Sequence, residues 1–334
     1  MALQVLLLIG SLIIILAGAE IFTNSVEWLG KKLNLGAGAV GSVFAAVGTA
    51  LPETLIPIIA IMSGSRESGG HDVGIGAILG APFMLATLAM FVTGLTALIK
   101  RRNNSPMRII PDVMKRDMRF FMLVYAIAIL ASFIPLHQIK VIVVIFLAGA
   151  YFLYVYQTVK SSIGKSDEEG EELKHLYFLP KNDDPPIIIV FLQVAAALAL
   201  IVTGAYIFVG AVQVVALFLG VPVLILSLII APIATELPEK FNSIIWVSRG
   251  KDTLAVGNIT GAMVFQSSII PAIGILLTEW QLEPVGILSA VLALIAVIYQ
   301  YAGLVGKHGL KPSHMVLSCL FYVVFIMALV LKLV

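Results

Sequence analysis

Val47–Leu55 reads VGTALPETL, and Ile233–Phe241 reads IATELPEKF. Each sets a glutamate directly after Leu-Pro inside a long apolar stretch, and the two phrases lie 186 residues apart. A carboxylate in an apolar interior costs free energy unless it is matched, so a chain that repeats one has a use for it. The phrase is part of a wider self-match at the same offset. Gly18-Ala19 meets Gly204-Ala205, Ile21-Phe22 meets Ile207-Phe208, Thr49 meets Thr235, and Leu51-Pro52-Glu53 meets Leu237-Pro238-Glu239. After a shorter connection the offset becomes 181. GIGAILGAP from Gly74 then parallels AVGNITGAM from Ala255, pairing Gly76 with Gly257 and Gly80 with Gly261.

The chain around these phrases is 334 residues long, 60% hydrophobic and 12% charged, with a mean hydropathy of +1.05. Soluble domains carry about 25% charged residues. Apolar runs long enough to cross a bilayer recur throughout. The pattern predicts an all-α membrane protein with ten transmembrane helices, near 3–23, 36–63, 72–99, 119–136, 138–158, 187–210, 213–247, 253–278, 284–302 and 314–333. The first is read as a retained helix, since no cleavage-site pattern follows it. With both termini outside, seventeen Lys and Arg fall in inward connections and three, Arg66, Lys140 and Lys332, outside; Lys240 lies within a span. That bias is the positive-inside pattern. The single Cys319 gives no disulfide or zinc framework.

Five spans per half is an odd number, so the halves are expected as inverted repeats: 1–158, a cytoplasmic linker 159–186 holding SDEEGEELK, and 187–334. Paired, Gly/Pro-interrupted helices in inverted repeats mark secondary transporters, with the site at the midplane. Pro52 and Pro238 lack an amide hydrogen and free carbonyls near Thr49 and Thr235. Such carbonyls are tolerated at membrane depth only when they face protein or a watery cavity. Carbonyl, hydroxyl and carboxylate oxygens together suit a hard cation. Glu53 and Glu239 are therefore read as two carboxylates meeting at one cation site. The plainer alternative, a protonated or pairwise-neutralised membrane glutamate, weakens when two occupy equivalent places. Gly80 and Gly261 are read as helix breaks that also allow close helix approach.

GTALPE, ATELPE and GNITGAMVF, with the five-plus-five arrangement, resemble the calcium/cation antiporter superfamily in its prokaryotic sodium/calcium exchanger branch. The likeness spans nearly the whole chain and implies alternating-access exchange of a cation for Na⁺ or H⁺. By that likeness the ligands are Thr49, Glu53, Thr235, Glu239, Glu236 and Gln266. The chain departs from the family at several of these helices. Ala50 replaces a Ser, Ala81 and Leu85 stand at Ser and Asn positions, Glu236 replaces a Ser, and Ala262 and Gln266 stand at Ser and Asn/Asp positions. Hydroxyl and amide ligands are thus depleted, which bears on Na⁺ stoichiometry.

Glu236 and Lys240 are spaced i,i+4 with the acid first, the favourable order on a helix. They are read as an internal ion pair whose ammonium fills space that Na⁺ takes in relatives. In the rival reading Glu236 is a third cation ligand and Lys240 points elsewhere. The leading function is antiport of a divalent cation, Ca²⁺ first, for Na⁺. The alternatives are an H⁺-coupled divalent exchanger and a non-transporting membrane protein derived from an exchanger. An enzyme is not expected: the chain has no H-E-x-x-H, no G-x-S-x-G and no Walker A loop. No cofactor and no nucleic-acid partner are expected; the partners are inorganic cations and the lipid bilayer of a prokaryotic inner membrane.

Overall fold

The structure is a computed structural model that describes residues 2–32, 45–64, 69–101, 103–162, 174–306 and 309–333. Within these, the side chains at 45–52, 137, 159, 161, 162, 234, 237–239 and 242 lie outside the described set. The described residues are helical throughout, with no strand. In order they form α1 (Ala2–Lys32), α2 (Ala45–Ser63), α3 (Gly70–Met84), a π-turn (Leu85–Ala89), α4 (Met90–Arg101) and α5 (Pro111–Leu130), which ends in a 3₁₀ turn. Then come α6 (His137–Ser162), α7 (Ile187–Leu219), α8 (Val223–Thr235), α9 (Leu237–Ser248), α10 (Asp252–Leu277), α11 (Pro284–Val305), α12 (Pro312–Leu317) and α13 (Cys319–Val330). Seven stretches among them are long and apolar enough to cross a membrane, and two shorter apolar helices, Glu53–Ser63 and Val223–Ile233, flank the centre.

Large apolar side chains on the outside, such as Leu6, Ile142, Ile145, Phe152 and Leu217, are exposed. In a bilayer they are solvated by lipid, so helix association rests on close packing and polar contacts instead of water exclusion. Glycines supply the close packing. A Cβ on Gly18 would lie 2.8 Å from Ile201 Cγ1, and one on Gly204 would lie 2.8 Å from Ile15 Cγ1. These two contacts exchange when each number is shifted by 186. A Cβ on Gly76 would lie 2.7 Å from the Leu224 carbonyl oxygen, and a Cβ on Gly80 would overlap the Leu228 carbonyl oxygen. That contact seats α3 on α8.

One expected boundary shifts, and the expected helix breaks fall elsewhere. The sixth span was expected to end near 210, but α7 runs unbroken to Leu219 and turns at Gly220, whose φ of 65° needs glycine. Gly210-Ala211-Val212 contains no proline, whereas Gly220-Val221-Pro222 joins a left-handed glycine to a proline that opens the next helix. Gly80 and Gly261 lie inside α3 and α10, so neither interrupts its helix. The irregularity in that region is the π-turn after Pro82, a residue with no amide hydrogen to give the helix. Pro52 lies inside α2, and Pro238 occupies the first turn of α9, where a missing amide hydrogen is harmless. The interruption beside Pro238 falls at Glu236.

Candidate cation site

Glu236 separates α8 from α9 with φ −90° and ψ 0°, the bridge region where many functional residues sit. Its amide donates to the Pro232 carbonyl at 3.0 Å, and its own carbonyl accepts from Lys240 N at 3.2 Å. The interruption turns the Glu236 side chain into the protein, where it is wholly buried. Glu53, on α2, is 6% exposed, and Gln266, midway along α10, is fully buried.

These three residues meet although they stand far apart in sequence. Gln266 Nε2 donates to Glu53 Oε2 at 2.5 Å and also to Glu236 Oε1. The one amide nitrogen therefore bridges the Glu53 and Glu236 carboxyls, and the Lys240 ammonium acts electrostatically on Glu236. Lys240 Nζ also reaches Met84 Sδ, 2.9 Å away at the end of α3. Gln266 Oε1 is buried with no hydrogen-bond partner among the described residues.

Beside the carboxyls lies a cavity of about 10 Å³, room for about one water-sized sphere. Glu53, Thr235 and Gln266 bring polar atoms to it, and Ala77, Ala81 and Ala231 bring only methyl groups. Thr235 is buried, and its hydroxyl donates back to the Ala231 carbonyl at 3.3 Å, leaving its lone pairs available.

Of the residues singled out by sequence, the structure brings together Glu53, Glu236, Gln266 and Thr235, with Lys240 at the edge. The side chains of Thr49, Pro52, Pro238 and Glu239 lie outside the described residues. Two contributors were not foreseen. Met84 is one. The other is Asp117 on α5, 2% exposed, which accepts from Tyr154 Oη on α6 at 2.8 Å and from Thr260 Oγ1 on α10 at 2.9 Å. Asp117 sits within the basic run MKRDMRF, which reads as a solvated connection. A finer signal was present: Met114, Asp117, Met118, Phe121 and Tyr125 share one buried helical stripe. Asp252, at the start of α10, accepts from Arg101 and from the Arg108 amide at 2.7 Å. Both acids fasten the half of α10 that precedes Gln266.

A bundle of apolar helices that holds buried carboxyls, an amide and an ammonium at its centre is a multi-pass integral membrane protein with a polar site enclosed by its own helices. The chain belongs to the sodium/calcium exchanger protein family, whose pattern it matches over residues 3–160 and 189–333. It is 24% identical over 302 residues to the inner membrane protein YrbG of Escherichia coli strain K12, covering 90% of this chain and 88% of that one. Its fold is similar to the crystal structure of the H⁺/Ca²⁺ exchanger CAX, with a TM-score of 0.76 and 16% identity over 98% of this chain and 82% of that one. It is also similar to the sodium–calcium exchanger NCX_Mj, with a TM-score of 0.60 and 21% identity over 98% of this chain and 99% of that one. The family is one of exchangers.

Proposed function

We propose that this protein exchanges a divalent cation, Ca²⁺ first, for protons by alternating access at the Glu53–Glu236–Gln266 site. The observation that carries the reading is that the two buried carboxyls share one amide nitrogen, that of Gln266, and so lie side by side. Two carboxylates that close cannot both stay ionised at low cost. A shared proton relieves the repulsion, and so does a divalent cation between them, so the two compete for one place. Competition at one site is what exchange requires. Gln266 Oε1 and Thr235 supply neutral oxygens for the cation, and Glu239 and Thr49 are further ligands on the grounds of the repeated phrase.

Na⁺ coupling is the second reading, favoured by family membership and by the name of NCX_Mj. Against it, Ala81, Leu85 and Ala262 offer no oxygen where the family's Ser and Asn stand, and the cavity beside Glu53 is the size of one ion. The halves 1–158 and 187–334 act in this reading as the two inverted repeats that rock about the site, with both termini outside.

Purified protein in liposomes tests the proposal. An imposed pH gradient is expected to drive Ca²⁺ uptake, and Glu53→Gln and Glu236→Gln are each expected to abolish it. Uptake driven by a Na⁺ gradient and indifferent to the pH gradient would replace proton by Na⁺ coupling. No Ca²⁺ uptake under either gradient would remove Ca²⁺ as the substrate and reopen the non-transporting reading.

A further inference from the structure

Away from the central site, a cavity of about 240 Å³ opens between the last turns of α11 and the start of α12. It lies at the basic end of the molecule. The Met107 amide donates to the Leu310 carbonyl at 2.8 Å, and Asn104 and Ser313 are bonded reciprocally, which sets the cavity beside the connection that carries Arg101 and Arg108. Its lining includes Tyr299, Ala302, Gly303, Gly306, Lys311 and His314, and holds no carboxylate among the described residues.

We infer that this cavity holds the phosphate of an anionic phospholipid headgroup. Lys311 is half-buried and makes no ion pair among the described residues, so its ammonium lacks a counter-charge. His314 Nδ1 is buried with no hydrogen-bond partner among the described residues, and an imidazole ring can donate from one nitrogen whichever tautomer it holds. The His314 ring packs against Tyr299, with centroids 5.6 Å apart, and a Cβ on Gly303 would come within 3.1 Å of His314 Cδ2. Gly303 thus keeps the space clear. Lysine, histidine and tyrosine N–H and O–H groups with no facing acid select an anion and reject a metal cation. The volume is several times a water molecule's share of about 30 Å³, which suits a phosphodiester better than a single small ion.

The surroundings say which phosphate. Ile298, Val305, Leu317 and Leu320, near the cavity in sequence, are between 48% and 57% exposed. They offer acyl chains an apolar surface, and a soluble phosphate has no use for it. Basic pockets at the ends of membrane helices take lipid headgroups on this principle.

Native mass spectrometry of the full-length protein in detergent tests the inference. Phosphatidylglycerol and phosphatidylcholine are titrated separately, each with and without millimolar inorganic phosphate. One phosphatidylglycerol is expected to be retained in preference to phosphatidylcholine. Lys311→Met is expected to weaken that adduct about fivefold, the usual share of one basic side chain near a membrane surface. Ala302→Trp, an exposed position where bulk fills the cavity mouth, is expected to weaken it as much, while Lys332→Met at the other end changes nothing. Equal retention in wild type and both cavity variants would overturn the site. Displacement of the lipid by inorganic phosphate would overturn the lipid assignment in favour of a soluble phosphate.

Discussion

Gln266 gives both hydrogens of one amide to two different carboxyls, and few side chains could replace it. Leucine fills similar space but donates nothing. Hydrogen bonds to charged groups contribute about 1.5–3 kcal/mol each. Gln266→Leu is therefore expected to raise the apparent KM for the transported cation by about tenfold or more, read from initial rates of uptake into liposomes. Gln266→Asn, one methylene short, is expected to fall between. Asp117 invites a different measurement. Asp117→Ala leaves the hydroxyls of Tyr154 and Thr260 buried without their acceptor, at about 1–3 kcal/mol. It is expected to lower the melting temperature in detergent while leaving the cation KM unchanged. At this scale the repeated phrase pointed to Glu53, Thr235 and Glu239, and Glu236 stood out with Lys240 only through their i,i+4 spacing, at a place where the two copies differ. Which residues touch was not legible. That Gln266 bridges Glu53 to Glu236 depends on the interruption between α8 and α9, and a break in backbone direction leaves little trace in a sequence where the proline follows it by two residues.

Helix pairs explain why the duplicated glycines are not equivalent. Gly80 presses on α8, with Pro232 Cγ 2.7 Å from where its Cβ would be, whereas no atom of the described residues comes within 4 Å of a Cβ on Gly261. Overpacking of this kind costs about 1–3 kcal/mol. Gly80→Ala is expected to destabilise the protein by that amount, and Gly261→Ala to leave stability within about 0.5 kcal/mol, as surface-like changes do. Thermal melts of the two variants decide it. Sequence pattern treated the two as a pair, because repeats share residues before they share surroundings. The long apolar helices were legible for the same reason that the end of α7 was not: hydropathy reports membrane length well, and it is indifferent to whether a turn falls at Gly210 or Gly220. The segment before α7 adds a pH-dependent element. Lys32 bonds to Asp184 and holds its carboxyl below the usual carboxylate range. A depressed pKa contributes stability above the ordinary value of about 3.9 that is lost as pH falls through the folded value. Asn24, Trp28 and Gln193 hold the same segment through its backbone, with Trp28 Nε1 donating to the Lys174 carbonyl at 2.9 Å. Hydrogen exchange across 176–184 is therefore expected to rise only modestly below pH 4, and Asp184→Asn to remove that rise.

For the whole molecule, the charges at the centre bear on whether transport senses voltage. Under the proposed function, in which Glu239 is a ligand beside Glu53 and Glu236, the site carries three negative charges when ionised, and Lys240 carries one positive charge. The remaining two match one divalent cation or two protons. Under the proposed exchange, the carrier crosses neutral in both directions. Moving one uncompensated charge through the membrane potential costs about 2.3 kcal/mol per 100 mV, so a carrier with spare charge responds steeply to voltage and a neutral one does not. Ca²⁺ uptake driven by a fixed pH gradient is therefore expected to run at the same rate when a K⁺ gradient with valinomycin sets the potential to zero or to 100 mV of either sign. Exchange of three Na⁺ for one Ca²⁺ moves a charge per cycle and gives a strong voltage dependence instead. Lys240→Met separates the two accounts. Without the ammonium, the centre keeps three negative charges, and one divalent cation leaves one of them unmatched. The variant is expected to become voltage-sensitive if Lys240 serves as the internal counter-charge. A variant that still transports, with its rate as indifferent to voltage as the wild type, would remove Lys240 from the charge balance and leave its contact with Met84 as a matter of packing.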